Sequence, residues 1–386
     1  MNKVVIVSAQ RTPVGKFRGK LSNYSAVELG TAALKSAMDQ IQLDPNHIQN
    51  VIFGNVVQAG TGQNPARQIA VNAGLPYTTP GMTVNEVCGS GLKSIILGKQ
   101  LIQLGEANVV AVGGVESMTN TPELILKKGD APVKSFMHDG LTDVFHEIAM
   151  GLTAEEIATQ YNVSREAQDA FAMNSHLKSD KATKDGKFNL EMVPLEDVNG
   201  ETMTADELIR PESNMEDLAA LKTIFKEDGT VTAGNASALS DGGSALILMS
   251  ESYAEEHGYT ILATLGAHAE IGCDPLYMGY APFYAVEELL NKTGKTIQDI
   301  DLVEMTEAFS AQSIPVKQNL NIPDEKFNIY GGAIALGHPL GSTGSRLVTT
   351  LTHALRQENK RTGIATACIG GGLGIALMIE KGAGVQ

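Results

Sequence analysis

Two rhythms of apolar residues run along this chain. Short runs rich in β-branched residues, at 4–7, 51–53 and 109–112, alternate with longer stretches such as 26–41 whose apolar positions recur at helical spacing. Strand and helix in turn predict an α/β fold. After the extended run Met82-Thr83-Val84, the residues Leu92, Ile95, Ile96, Leu97, Leu101, Ile102 and Leu104 leave only a narrow polar edge before Gly105 stops the pattern. A helix of that kind is expected to be buried. From about 120 to 240 the character changes to charged, Met-containing helical segments. One is expected to open with a capping box from Thr153 to Glu156, another with Ser164 as N-cap and Glu166 in its first turn. Apolar strand-like runs return at 245–249 and 260–265, and a second α/β stretch follows to the C-terminus. The reading is an N-terminal half of 1–119 plus 241–262, an insertion of 120–240, and a C-terminal half of 263–386.

A weak internal repeat links the halves. Gly89-Ser90-Gly91 leads into an apolar helix and then the run NVVAVGGVESM, while Gly341-Ser342-Thr343-Gly344 leads into a helix over 347–356 and then TGIATACIGGGLGIALMIE. Both read as loop, buried helix, strand and glycine turn. Two such units packed face to face would bring equivalent loops to one shared site. The uncharged run 362–379 nearly reaches transmembrane length, but Gly370-Gly371-Gly372 interrupts it and its flanks are strand-like, so buried sheet is expected.

Composition narrows the partners. At 386 residues and 43% hydrophobic content the chain can bury more than one core, and Lys+Arg 29 against Asp+Glu 44 leaves net −15. That balance argues against nucleic acid and against a basic membrane anchor, and an anionic substrate would need a local basic patch. Cys88, Cys273 and Cys368 form neither a disulfide framework nor a metal-ligand spacing. A reducing compartment and no metal are expected. With no signal or transit pattern at the N-terminus, the cytoplasm is the default.

Candidate chemistry falls in the glycine-rich loops. Cys88 stands where a strand gives way to a buried helix, and unpaired N–H groups there favour a thiolate. A structural cysteine in a core is an equally good reading of that stretch alone. His338 lies between Gly337 and Pro339; proline pushes it out of helical geometry, and core filler is the poorer explanation. Cys368 follows a strand and precedes three glycines whose N–H groups would point into a cavity, although a buried inert thiol would look the same. Two thiols and an imidazole on such loops suit acyl transfer coupled to proton transfer.

With these residues in view, VVIVSAQRTPVGKF, VNEVCGSGLKS, GGVESM, GTVTAGNAS, GHPLG and CIGGGLG resemble the motifs of the thiolase family, in family order and over essentially the whole chain. The resemblance implies a five-layered αβαβα fold of two similar halves with an inserted loop domain that covers coenzyme A, in a homodimer or homotetramer. It implies Cys88 as the acylated nucleophile, His338 as the residue activating it, and Cys368 as the acid/base at the α-carbon. The N–H groups of Cys88 and Gly370 would bind the oxyanion. Ser237 would meet the pantetheine chain, Lys222 the CoA phosphates, and Met150, Met278 and Phe309 the acyl group. The substrates implied are CoA thioesters, with no bound cofactor.

Two departures stand out. Thr306-Glu307-Ala308-Phe309 replaces the family's Asn-Glu-Ala-Phe, whose asparagine holds a water in the oxyanion site, and Ala149-Met150-Gly151 replaces the His-Met-Gly of many biosynthetic members. The leading expectation is an acetyl-CoA acetyltransferase. A 3-ketoacyl-CoA thiolase of longer chains, or a thiolase-like protein that binds acyl-CoA or lipid with weak turnover, are the alternatives.

Overall fold

The computed structural model describes residues 2–382. The N-terminal half runs β1 (Val4–Arg11), α1 (Ala26–Asp39), β2 (Asn50–Gly54), α2 (Pro65–Asn72), β3 (Gly81–Val84), α3 (Ser90–Gln103) and β4 (Val109–Ser117). A long excursion containing α4 (Met150–Gln160) and α5 (Arg165–Lys184) then returns into β5 (Ser240–Ser250). The C-terminal half follows as β6 (Ala263–Gly272), α6 (Ala281–Thr293), β7 (Leu302–Met305), α7 (Ser310–Asn319), α8 (Leu340–Gln357), β8 (Thr362–Ile369) and β9 (Leu373–Lys381).

These nine strands lie on one bonded path, β7-β8-β9-β6-β1-β5-β4-β2-β3. The β2–β3, β2–β4 and β7–β8 pairs are parallel and the others antiparallel. The halves meet where β1 pairs with β6, at Val5 with Thr264 and Ile6 with Ala263. Strand residues alternate between cores: Val110 and Val112 face the central helices, while Val109 and Ala111 face the outer layer of α1 and α2. A strand buried on both faces reads as a continuous apolar run, which is why period alone did not reveal its sidedness. Central α3 and α8 share one core with both halves of the sheet, and α6 and α7 cover the far face. The result is helix, sheet, helix, sheet, helix, as the resemblance implies.

Several boundaries move for physical reasons. Helix α8 begins at Leu340, ahead of the expected 347, so Gly341 and Gly344 are helical. Each helical glycine costs about 1 kcal/mol of propensity, but every residue from Leu340 to Leu355 is buried between the sheets, so packing outweighs it. The expected capping box at Thr153 is absent: α4 starts at Met150, and the Thr153 hydroxyl donates back to the Met150 carbonyl at 2.7 Å. Ser164 does cap α5, accepting from the Ala167 N–H at 3.1 Å. Gly113 and Gly114 form no turn; they lie inside β4, where a Cβ would strike the backbone of Ser244 and Gly341. The strand expected over 260–265 begins at Ala263. Among the described residues no helix is long and apolar enough to cross a membrane.

Candidate active site

The two central helices bring the chemistry together because they touch backbone to backbone at their first turns. A Cβ on Gly91 would lie 2.6 Å from the Ser345 nitrogen and 2.8 Å from the Gly341 carbonyl oxygen, so only glycine permits the approach. Cys88 precedes α3 and His338 precedes α8, and both therefore open onto one space. Cys88, His338, Cys368 and Gly370 line a single cavity of about 390 Å³. Met118, Met137, Leu141, Ala149, Met150, Met278, Ile224, Phe225 and Phe309 supply apolar wall, and Ser237 and Arg210 supply polar groups.

Burial decides the resting protonation. The Gly370 N–H and Cys88's own N–H point at the Cys88 sulfur and favour a thiolate, yet desolvation is larger and pushes the thiol up to about 12. The helix start therefore does not by itself give the thiolate expected from sequence. Cys368 is also raised by burial, with the nearby Cys88 adding to it. His338 is driven down to about 3 by burial and by the charge of Arg346. Its Nδ1 lies 2.6 Å from the Thr343 hydroxyl, which itself donates to the Pro339 carbonyl at 3.1 Å. With that proton committed, Thr343 accepts from Nδ1–H and leaves Nε2 as a bare lone pair, buried and without a protein partner. Thiol, thiol and neutral imidazole are the resting set.

The scaffold around them is tied together by two buried carboxylates, Glu116 and Glu307. The Glu116 carboxylate accepts from the N–H groups of Val56 (3.1 Å), Val57 (3.1 Å) and Gly341 (2.9 Å) and from the Asn55 amide (2.8 Å), tying β2's exit to the start of α8. Burial raises it to about 7 against those donors. Glu307 does a similar service for the His338 loop, accepting from Ser175 Oγ at 2.6 Å and Asn328 Nδ2 at 2.8 Å. The loop bearing Ser237 is held by that residue's N–H on the Ala308 carbonyl at 2.9 Å.

With this geometry in view, comparison with known proteins decides the family. The thiolase N-terminal domain model matches residues 4–252 and the thiolase C-terminal domain model residues 259–381. The chain belongs to the thiolase family. It is 46% identical to a probable acetyl-CoA acyltransferase of Staphylococcus aureus, over 99% of this chain and 100% of that one. It is 44% identical to an acetyl-CoA acetyltransferase of Cupriavidus necator, again over 99% and 100%. The crystal structure of human mitochondrial 3-ketoacyl-CoA thiolase superimposes with TM-score 0.96 at 40% identity, covering 99% of each chain. The same human enzyme in complex with CoA gives TM-score 0.95 at 40% identity, covering 99% of this chain and 98% of that one.

Eight of the residues singled out in this thiolase line the cavity together: Cys88, Met150, Ser237, Met278, Phe309, His338, Cys368 and Gly370. Two do not. Lys222 is exposed and off the wall. Thr306 is fully buried behind the wall, with its hydroxyl unpartnered by protein. The basic residue that does reach the cavity is Arg210, which no motif marked. Glu116 was legible in principle, as the one charged residue in an otherwise apolar strand. Among the described residues no cluster of His, Cys, Asp and Glu could hold a metal.

Proposed function

We propose that this thiolase is an acyl-CoA C-acyltransferase, in the first place an acetyl-CoA acetyltransferase interconverting two acetyl-CoA with acetoacetyl-CoA and CoA. The observation that carries the reading is the convergence of Cys88, His338, Cys368 and the Gly370 N–H on one largely apolar cavity. Thiolysis is the simpler direction to derive from the resting set. Cys88 Sγ attacks the 3-keto carbonyl as its proton passes to His338 Nε2. The N–H groups of Cys88 and Gly370 hold the resulting oxyanion. The C2–C3 bond then breaks, and the departing carbanion of acetyl-CoA takes its proton from the Cys368 thiol. His338 returns its proton to the Cys368 thiolate, then takes the proton of an incoming CoA thiol as that thiol attacks acyl-Cys88, and passes it to the departing Cys88 sulfur. Synthesis runs the same steps backwards.

High thiol pKa values suit this scheme, because both cysteines start protonated and a strongly basic Cys368 thiolate can remove an α-proton in reverse. Ser237 and Arg210 at the cavity are the polar groups available to pantetheine and phosphate. Longer 3-ketoacyl chains are a second reading, favoured by the small Ala149 among apolar walls. The test is CoA-dependent cleavage of acetoacetyl-CoA against longer 3-ketoacyl-CoAs, with mass spectrometry of the protein after acetyl-CoA alone. Acetyl on Cys88 is expected. Acetyl on Cys273 or Cys368 with Cys88 free would overturn the assignment.

A further inference from the structure

Between the end of β3 at Val84 and the start of α3 at Ser90 the chain turns sharply through Asn85-Glu86-Val87-Cys88-Gly89. Val87 sits at φ +46°, in the left-handed region. The other described non-glycine residues at positive φ are Arg, Gln, Glu, Asp or Asn, so Val87 is the one β-branched residue there. For a β-branched side chain that conformation is strained. Strain of this kind persists only where the surroundings over-determine it.

Two side chains do so. Ser90, fully buried, accepts from the Glu86 N–H at 2.8 Å and donates to the Val87 carbonyl at 2.7 Å, bracketing the strained residue on both sides. Asn85 accepts from the Val87 N–H at 3.0 Å and donates to the Val56 carbonyl at 3.3 Å, tying the turn to the exit of β2. The strain has a return in packing: a Val87 Cγ atom lies 3.5 Å from where a Cβ on Gly370 would be, against the very residue whose N–H reaches the Cys88 sulfur. Gly89 is pressed onto Ile369, the neighbour of Cys368. The shape of the turn thus sets where the Cys88 sulfur stands relative to Gly370 and Cys368.

We propose that Ser90 and Asn85 are positioning residues that hold Val87 in its left-handed conformation and thereby aim the Cys88 sulfur at the Gly370 N–H and into the cavity. For turnover this rests on the acyltransferase reading; for the geometry of Cys88 it does not.

The test is a cycle of Ser90→Ala, Val87→Gly and the double variant, read as the alkylation rate of Cys88 by iodoacetamide (mass spectrometry) and as kcat and KM for acetoacetyl-CoA cleavage. Ser90→Ala is expected to slow both alkylation and kcat by about tenfold to a hundredfold with KM nearly unchanged, since misplacing a reacting atom by about 1 Å costs on that order. Val87→Gly alone is expected to cost a few-fold, through lost packing against Gly370. Glycine adopts positive φ without strain, so in the double variant Ser90 is no longer needed. The double variant is then expected to run at least about fivefold faster than the product of the single effects. Effects that simply multiply, or a folded Ser90→Ala with wild-type alkylation and kcat, would overturn the proposal. If Ser90→Ala does not fold, Asn85→Ala on the exposed rim enters the same cycle and is read the same way. A protein that cleaves no 3-ketoacyl-CoA while the alkylation rates still show the coupling sinks the acyltransferase reading and leaves this one standing.

Discussion

The two halves of this thiolase repeat one strand order, and two of the places where they differ divide the work. Strand order β1-β5-β4-β2 in the first half matches β6-β9-β8-β7 in the second, neighbour for neighbour. In the second half the last two strands are joined by Gly370-Gly371-Gly372, a turn with Gly371 and Gly372 at positive φ that sends the Gly370 N–H toward Cys88. In the first half the same junction, β4 to β5, is replaced by the excursion over 118–239, which supplies Met150, Arg210 and Phe225 to the cavity. The second difference lies before the central helix. The first half has a full strand, β3, and a short strained turn to Cys88. The second has only an isolated bridge between Val303 and Phe327, then a long loop to His338 tied by Glu307. One half thus presents the nucleophile under a roof, and the other presents the proton carriers.

Removing one half's chemistry should separate the half-reactions. Cys368→Ser keeps Cys88 and the Gly370 N–H, so acetyl exchange between CoA and an analogue thiol should persist. Acetoacetyl-CoA formation should fall by about 10²–10⁴-fold, the usual worth of a general acid/base. Equal loss in both reactions would mean that Cys368 serves acylation as well.

The pairing across the halves has a pH signature. Cys88 is held up at about 12 and His338 down at about 3, so no thiolate–imidazolium pair stores the reactive form at rest. Because the thiolate fraction of a group titrating above the assay range grows with pH, alkylation of free Cys88 should rise about tenfold per pH unit from roughly pH 6 to roughly pH 9. A plateau near neutrality would show a resting ion pair instead.

What the bare chain could tell follows the same division. Helix α3 was legible because its apolar residues leave only a narrow polar edge. The body of helix α8 over 347–356 was legible too, but its start was not, because Gly341-Ser342-Thr343-Gly344 has the composition of a loop and is helical only by burial between two sheets. Cys88, His338 and Cys368 stood out through their glycine neighbours, which exist for close approach and for turning. Arg210 carried no local signal, since its place at the cavity depends on how the whole excursion folds back. The raised Cys88 was hidden as well: a helix start favours thiolate, and only the three-dimensional enclosure reverses the sign.

The excursion, present in one half only, should govern the grip on CoA. Arg210→Glu should raise KM for CoA thioesters by about tenfold, with the effect weakening in salt, while a short pantetheine thioester is nearly unaffected. Lys222→Glu, off the cavity wall, should change KM less than about twofold. The reverse ranking would put Lys222, rather than Arg210, at the phosphates.

The smallest effect is expected where the halves diverge after their inner strands. Asn55 follows β2, and its amide donates to the Glu116 carboxylate at 2.8 Å and to the Val115 carbonyl at 3.3 Å, so that side chain is built into the clamp. Thr306 follows β7 in the corresponding position, and its hydroxyl, fully buried, has no protein partner and does not reach the cavity wall. A buried hydroxyl without a partner costs about 1–3 kcal/mol of desolvation. Thr306→Val keeps the shape and removes that cost, so stability should rise by about 1 kcal/mol while kcat changes less than about tenfold. Thermal unfolding and steady-state cleavage of acetoacetyl-CoA measure the two. A loss on the order of 10²–10³ in kcat, the worth of an oxyanion donor, would instead show that the hydroxyl acts on the reacting carbonyl through a bridging water. Thr306→Asn would then be the faster enzyme, because its longer amide reaches further toward the cavity.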